Sequence, residues 1–124
     1  MKSLLLAMLL LSSTAFAAIT EVTEQNLTAL VNNNHGAIVI DVYATWCGPC
    51  KIMSKTLEEV DKHYAGKVKF VKMDADKNPQ MKELVRATYP TVIIIKGNKG
   101  AAIIGATDDT KVVIKKIDEV LAQK

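Results

Sequence analysis

Cys47 and Cys50 are the only cysteines of this 124-residue chain, and Gly48-Pro49 between them makes a Cys-x-x-Cys pair. Two thiols at that spacing can close a small ring and so cycle between dithiol and disulfide, a reaction that needs one of them ionised as the nucleophile. A thiolate is favoured where a strand gives way to a helix. There the first helical N–H groups lack partners and the positive end of the helix dipole faces the sulfur. The sequence puts Cys47 at such a junction: an almost continuous apolar, β-branched run from Ala37 to Ala44 precedes it, and Met53, Leu57, Val60 and Tyr64 recur at helical spacing after it. Cys50, one turn into the helix, is expected to be the more buried thiol and to resolve the intermediate. Cβ atoms at i and i+3 of a regular helix lie about 5–6 Å apart, whereas a disulfide wants about 3.5–4.5 Å. Leaving Cys47 outside the regular helix closes that gap. Gly48 is expected to permit the tight approach, and Pro49 presets helical φ while giving up an N–H that would have no intrahelical partner.

Two other readings of the pair stay open on the residues alone. One is a structural disulfide, although so short a loop would restrict the unfolded chain very little. The other is half of a zinc site, which would need about four ligands. His35 and His63 are the remaining candidates, but they lack paired spacing and read as solvated surface residues.

The elements that must position the cysteines follow from the hydrophobic periods. A short helix is predicted over Asn26 to Asn34, a strand over Ala37 to Ala44, a helix from Pro49 closed by Gly66, and a strand over Val68 to Met73. Pro79 starts a helix running to about Ala87. Strands over Thr91 to Lys96 and Ala101 to Ala106 are joined by Gly97-Asn98-Lys99-Gly100, a sequence suited to a hairpin turn. Val112, Val113, Ile117, Val120 and Leu121 mark a terminal amphipathic helix. With a strand ahead of the first helix the order is βαβαβαββα, which implies an α/β fold, a mixed β-sheet with helices on both faces.

Trp46-Cys47-Gly48-Pro49-Cys50-Lys51 resembles the active-site signature of the thioredoxin family, and the resemblance runs from roughly Val22 to the C-terminus. It implies the thioredoxin fold and a thiol–disulfide oxidoreductase that reduces protein disulfides, with no cofactor beyond the cysteine pair. Asp41 interrupts an apolar strand, which is costly unless its pKa rises, a partner compensates or the strand bends to bring it to water. The resemblance implies that it is the proton acceptor for Cys50. Lys72 matches the strand lysine that faces this aspartate, against an ordinary reading as one of several surface lysines. Pro90 resembles the family's cis-proline, which packs beside the cysteines and presents backbone to the substrate. Tyr89 before it departs from the small or aliphatic residue usual there, and this position helps choose substrates. Trp46 is expected to cover the disulfide, and Tyr43 stands where many relatives carry tryptophan. Gly105 matches a glycine that leaves room for a bound chain, its alternative being an ordinary strand bulge.

Met1-Lys2, the apolar run Leu4 to Leu11 and Ala15-Phe16-Ala17 have the three parts of a secretory signal. The run is too short to span a bilayer, where about 20 residues are needed. Residues 1–17 are therefore read as a cleaved signal peptide, 18–124 as one thioredoxin domain, and the location as periplasmic. The formal charge of +3 comes from lysines scattered among acidic residues, without the clustered stripe that nucleic acid requires. The expected partners are client proteins with disulfides and a membrane electron donor, the chain itself acting as a monomer. The rivals are a periplasmic oxidase or isomerase and, in a different class, a peptide-binding module or chaperone of the same fold.

Overall fold

The computed structural model describes residues 18–124. The expected signal segment, 1–17, lies outside the described residues. The elements are β1 (Thr20–Glu21), α1 (Glu24–Asn33), β2 (Ile38–Tyr43), α2 (Gly48–Tyr64), β3 (Lys69–Asp74), α3 (Pro79–Leu84), β4 (Thr91–Lys96), β5 (Lys99–Ile104) and α4 (Thr110–Ala122). A 3-10 turn at Ala75–Lys77 joins β3 to α3. The sheet order is β1-β3-β2-β4-β5. β1 and β2 run parallel to β3, while β4 is antiparallel to β2 and β5 to β4.

β2 lies in the middle of the sheet, which is why its sequence is apolar but for Asp41. Alternate residues of a strand point to opposite faces, and here both faces are covered. Val39 packs with Met53, Leu57 and Val60 of α2 and with Val113, Ile117 and Val120 of α4. Ile38, Ile40 and Val42 pack on the other face with Met81 and Val85, against Leu27 and Leu30 of α1. Asp41 is two residues beyond Val39 and so points to the α2 side, toward the end of the sheet where α2 begins. The packing that fixes this placement is tight: Leu57 is fully buried, and truncating such a residue to alanine costs about 2–5 kcal/mol.

Most boundaries fall within two residues of the sequence expectation, and those of α3 and β5 differ for identifiable reasons. α3 stops at Leu84, short of Ala87, because Arg86 and Ala87 take left-handed conformations with φ of 53° and 51°. The Ala87 N–H donates to Lys82 O and the Arg86 N–H to Glu83 O, the paired bonds of a Schellman cap. The cap turns the chain toward Pro90. β5 begins at Lys99 and ends at Ile104, earlier than expected, because Lys96 pairs with Lys99 and leaves a turn of only Gly97-Asn98. Gly97 has φ +58°, as the first central position of a II′ hairpin turn requires.

Candidate active site

Cys47 caps α2 with extended backbone (φ −85°, ψ 111°), and Pro49 lies in the first turn. Cys47 and Cys50 are joined by a disulfide with their Cα atoms 5.3 Å apart. The Cys50 N–H donates to Cys47 Sγ at 3.2 Å, so a free helical N–H faces the sulfur that would carry charge. Two expectations need correction. The cysteines are almost equally buried, 6% and 5% exposed, so no contrast in burial separates nucleophile from resolving thiol in the oxidised pair. Gly48 is not needed for space, since a Cβ there would meet nothing within 4 Å and its φ lies outside the left-handed region. The extended backbone of Cys47 makes the close approach instead.

Behind the disulfide a cleft of about 260 Å³ is lined by Asp41, Tyr43, Cys47, Cys50, Lys51 and Lys72, with Ala44, Thr45 and Ser54. Asp41 is 3% exposed, and its Oδ1 has no hydrogen-bond partner among the described residues. The strand does not bend it to water: Asp41 keeps regular register with Lys72 of β3 and Val92 of β4. Burial pushes the carboxyl from an ordinary 3.8 up to about 7; the Lys72 ammonium opposes the rise and the Glu21 carboxylate adds to it. A carboxyl poised near neutrality can both take and release a proton there.

The rim is built from three segments. Trp46 is 70% exposed, donates its indole N–H to Asp76 Oδ2 at 2.8 Å and meets the Tyr89 ring edge-on, centroids 5.8 Å apart. Tyr89 also packs against Ala44, Cys47 and Cys50, and its hydroxyl is buried without a partner among the described residues. The Tyr89–Pro90 peptide bond is cis. Gly105, just beyond β5, is joined to Pro90 by a hydrogen bond. Gly48 and Pro49 are exposed at the mouth of the site, where Asp41, Lys72, Trp46, Tyr89, Pro90 and Gly105 also gather, whereas His35 lies before β2 and His63 in the last turn of α2, away from the cysteines.

Three contacts went unread in the sequence. Asp76, which fixes Trp46, carries no motif and is brought near only by the turn after β3. Glu21, which accepts from the Tyr43 hydroxyl, sits on a strand of two residues, too short to show a period. Glu24 Oε1 accepts from the N–H groups of Gln80 and Met81 at the start of α3, a charge at a helix N-terminus that only the fold supplies.

A family model described as thioredoxin matches residues 18–119. Thioredoxin 2 of Chlorobaculum tepidum is 33% identical over 100 residues, covering 80% of this chain and 92% of that protein. Chloroplastic thioredoxin M2 of Arabidopsis thaliana is 35% identical over 91 residues, 72% of this chain, and the chain spans about half (49%) of that relative's length. Among solved structures, chloroplastic thioredoxin z superposes with a TM-score of 0.77 at 26% identity, covering 88% of this chain and 99% of that one.

Proposed function

The chain belongs to the thioredoxin family, and from that premise we propose how its residues carry out disulfide exchange and where they do so. It is a thiol–disulfide oxidoreductase that reduces disulfide-bearing proteins. The observation that carries the residue assignment is the Cys47–Cys50 disulfide at the N-terminus of α2, backed by a cleft that holds Asp41 and Lys72.

In the reduced protein the Cys47 thiolate attacks one sulfur of a client disulfide, a Cys47–client bond forms, and the client's other sulfur leaves as a thiolate. Cys50 gives its proton to Asp41 and attacks Cys47 Sγ. The Cys47–client bond breaks, the second client sulfur leaves as a thiolate, and two electrons have passed from the pair to the client. Asp41 then returns its proton to solvent through the cleft, with Lys72 beside it steadying the carboxylate. Trp46, Tyr89, Pro90 and Gly105 form the surface that receives the client chain, with Gly48 and Pro49 at the mouth.

The place of action is the periplasm, reached by a signal over residues 1–17 and cleavage before Ala18; the basic start, short apolar run and Ala15-Phe16-Ala17 support it. Electrons then come from a membrane dithiol donor, because that compartment is kept oxidising.

Insulin reduction by single-cysteine variants tests the mechanism. Cys47→Ser abolishes turnover, whereas Cys50→Ser abolishes turnover but accumulates protein covalently joined to clients through Cys47. Undiminished activity in either variant would move the assignment to a peptide-binding module of the same fold. N-terminal sequencing of the protein from its native host tests the location, Ala18 as first residue being expected and Met1 retained in a membrane fraction counting against it.

A further inference from the structure

β1 and β2 both pair parallel with β3, so Glu21, Lys72 and Asp41 stand abreast at one register level. Register partners in adjacent strands share a face of the sheet. Lys72 therefore stands on the strand between the two carboxylate-bearing residues. Glu21 is held in that place although it is exposed: the Tyr43 hydroxyl donates to both carboxylate oxygens at 2.8 Å, and the Asp74 N–H donates to Oε1 at 3.2 Å. Burial and the hydrogen bond to Glu21 both push the Tyr43 hydroxyl up, so it stays a donor across the neutral range. Tyr43 itself lines the cleft that contains Asp41. The groups facing this pair of carboxylates are Lys72 and Asp74 from β3, Tyr43 from β2, and Cys47, Cys50 and Lys51 from the start of α2; β4 presents only Val92 beside Asp41.

We propose that Glu21, fixed by Tyr43, is a positioning residue of the disulfide exchange: it competes with Asp41 for Lys72 and so sets how tightly Asp41 holds the proton it takes from Cys50. The inference rests on the assignment of Asp41 as that acceptor. Its physical basis is the weak screening of charges beside a buried cleft, where a carboxylate two strands away is still felt. Glu21 is among the groups that hold the Asp41 carboxyl high, after burial, which agrees with the geometry. Lys72 alone would pull the carboxyl down. Tyr43 and Glu21 thus act as a pair: the first keeps the second from swinging into water, where its charge would be screened.

The test is a ¹³C NMR titration of the Asp41 carboxyl in the full oxidised protein, run beside the pH profile of mixed-disulfide resolution in the reduced one. Glu21→Gln keeps an oxygen acceptor for Tyr43 and Asp74 but removes the charge. The Asp41 midpoint is expected to fall by about half a pH unit, roughly a threefold loss of proton affinity, and the resolution profile to move acidward with it. Tyr43→Phe should move both in the same direction by less, and Glu119→Gln, a charge removed from α4, should move neither. An unmoved midpoint in Glu21→Gln overturns the inference alone, whatever the variant does to stability. A midpoint that moves while the resolution profile stays in place overturns the assignment of Asp41 and the inference together.

Discussion

Gly105 donates its backbone N–H to the carbonyl of Pro90 at 2.9 Å, tying the residue that follows β5 to the one that precedes β4. Gly105 does so with φ +88°, and a Cβ there would meet nothing within 4 Å. Space beside it agrees with room for a client chain, but the demand on the residue comes from the sign of φ. Gly105→Ala is therefore expected to destabilise by about 1–2 kcal/mol, the cost of forcing an alanine into left-handed backbone. Urea unfolding should show a lower midpoint with an unchanged slope. An unchanged midpoint would mean that the segment turns over without loss and that the bond to Pro90 matters little.

Trp46 separates stability from recognition. It is the one tryptophan of the chain and stands 70% exposed, anchored only at its edge by Asp76 and Tyr89. Trp46→Ala should change stability by less than about 1 kcal/mol, as exposed substitutions do. If the indole meets the client chain, kcat/KM for protein disulfides should fall roughly tenfold, the scale of losing an aromatic anchor. The pairing of results is decisive: a large loss of stability with normal kcat/KM would make Trp46 a packing residue.

How much of this could be read in advance follows from the range of each signal. The strand Ile38–Tyr43 and helix Gly48–Tyr64 were legible because long apolar runs with a fixed period report burial directly. Cys47, Cys50 and Pro49 were legible because their chemistry is local, and their conformations follow from neighbours in sequence. Asp41 stood out as a charge in an apolar run, yet whether it met water was a question about β3, β4 and α2, settled only by their register. The end of α3 is not legible in the sequence because nothing in Arg86-Ala87 marks a left-handed cap; neither is glycine or asparagine. Glu21, Asp76 and Glu24 act across 22 to 57 positions of sequence and give no local sign of it.

The direction of electron flow depends on what lies between the cysteines. Strong oxidants of this fold stabilise the reduced form with a charged or polarising residue there, and Gly48-Pro49 supplies none. Established reference potentials are about −270 mV for thioredoxin and about −120 mV for the strongly oxidising type, a gap of roughly 7 kcal/mol at about 1.4 kcal/mol per 30 mV. Equilibration of this protein with glutathione mixtures is expected to give a value near the reducing end. A potential above about −180 mV, the level of protein disulfide isomerase, would instead make it an oxidase or isomerase.

Asp41 makes the stability of the oxidised protein depend on pH in a definite direction. Its carboxyl sits at about 7 in the fold against an ordinary 3.8, so between those values the folded chain holds a proton that the unfolded chain has released. The contribution of this group is fully present below 3.8 and is lost as pH rises through about 7. At about 1.4 kcal/mol per pH unit, the buried carboxylate costs roughly 4 kcal/mol on the alkaline side. Asp41→Asn removes the ionisation while keeping the shape. The variant should therefore be more stable than the parent by roughly 2–4 kcal/mol at about pH 9, with the advantage shrinking toward zero at about pH 4. Urea midpoints of both proteins across that range would measure it. An advantage that did not vary with pH, or that grew on acidification, would show that Asp41 is not held protonated by burial and would leave its proton-accepting role without a physical basis.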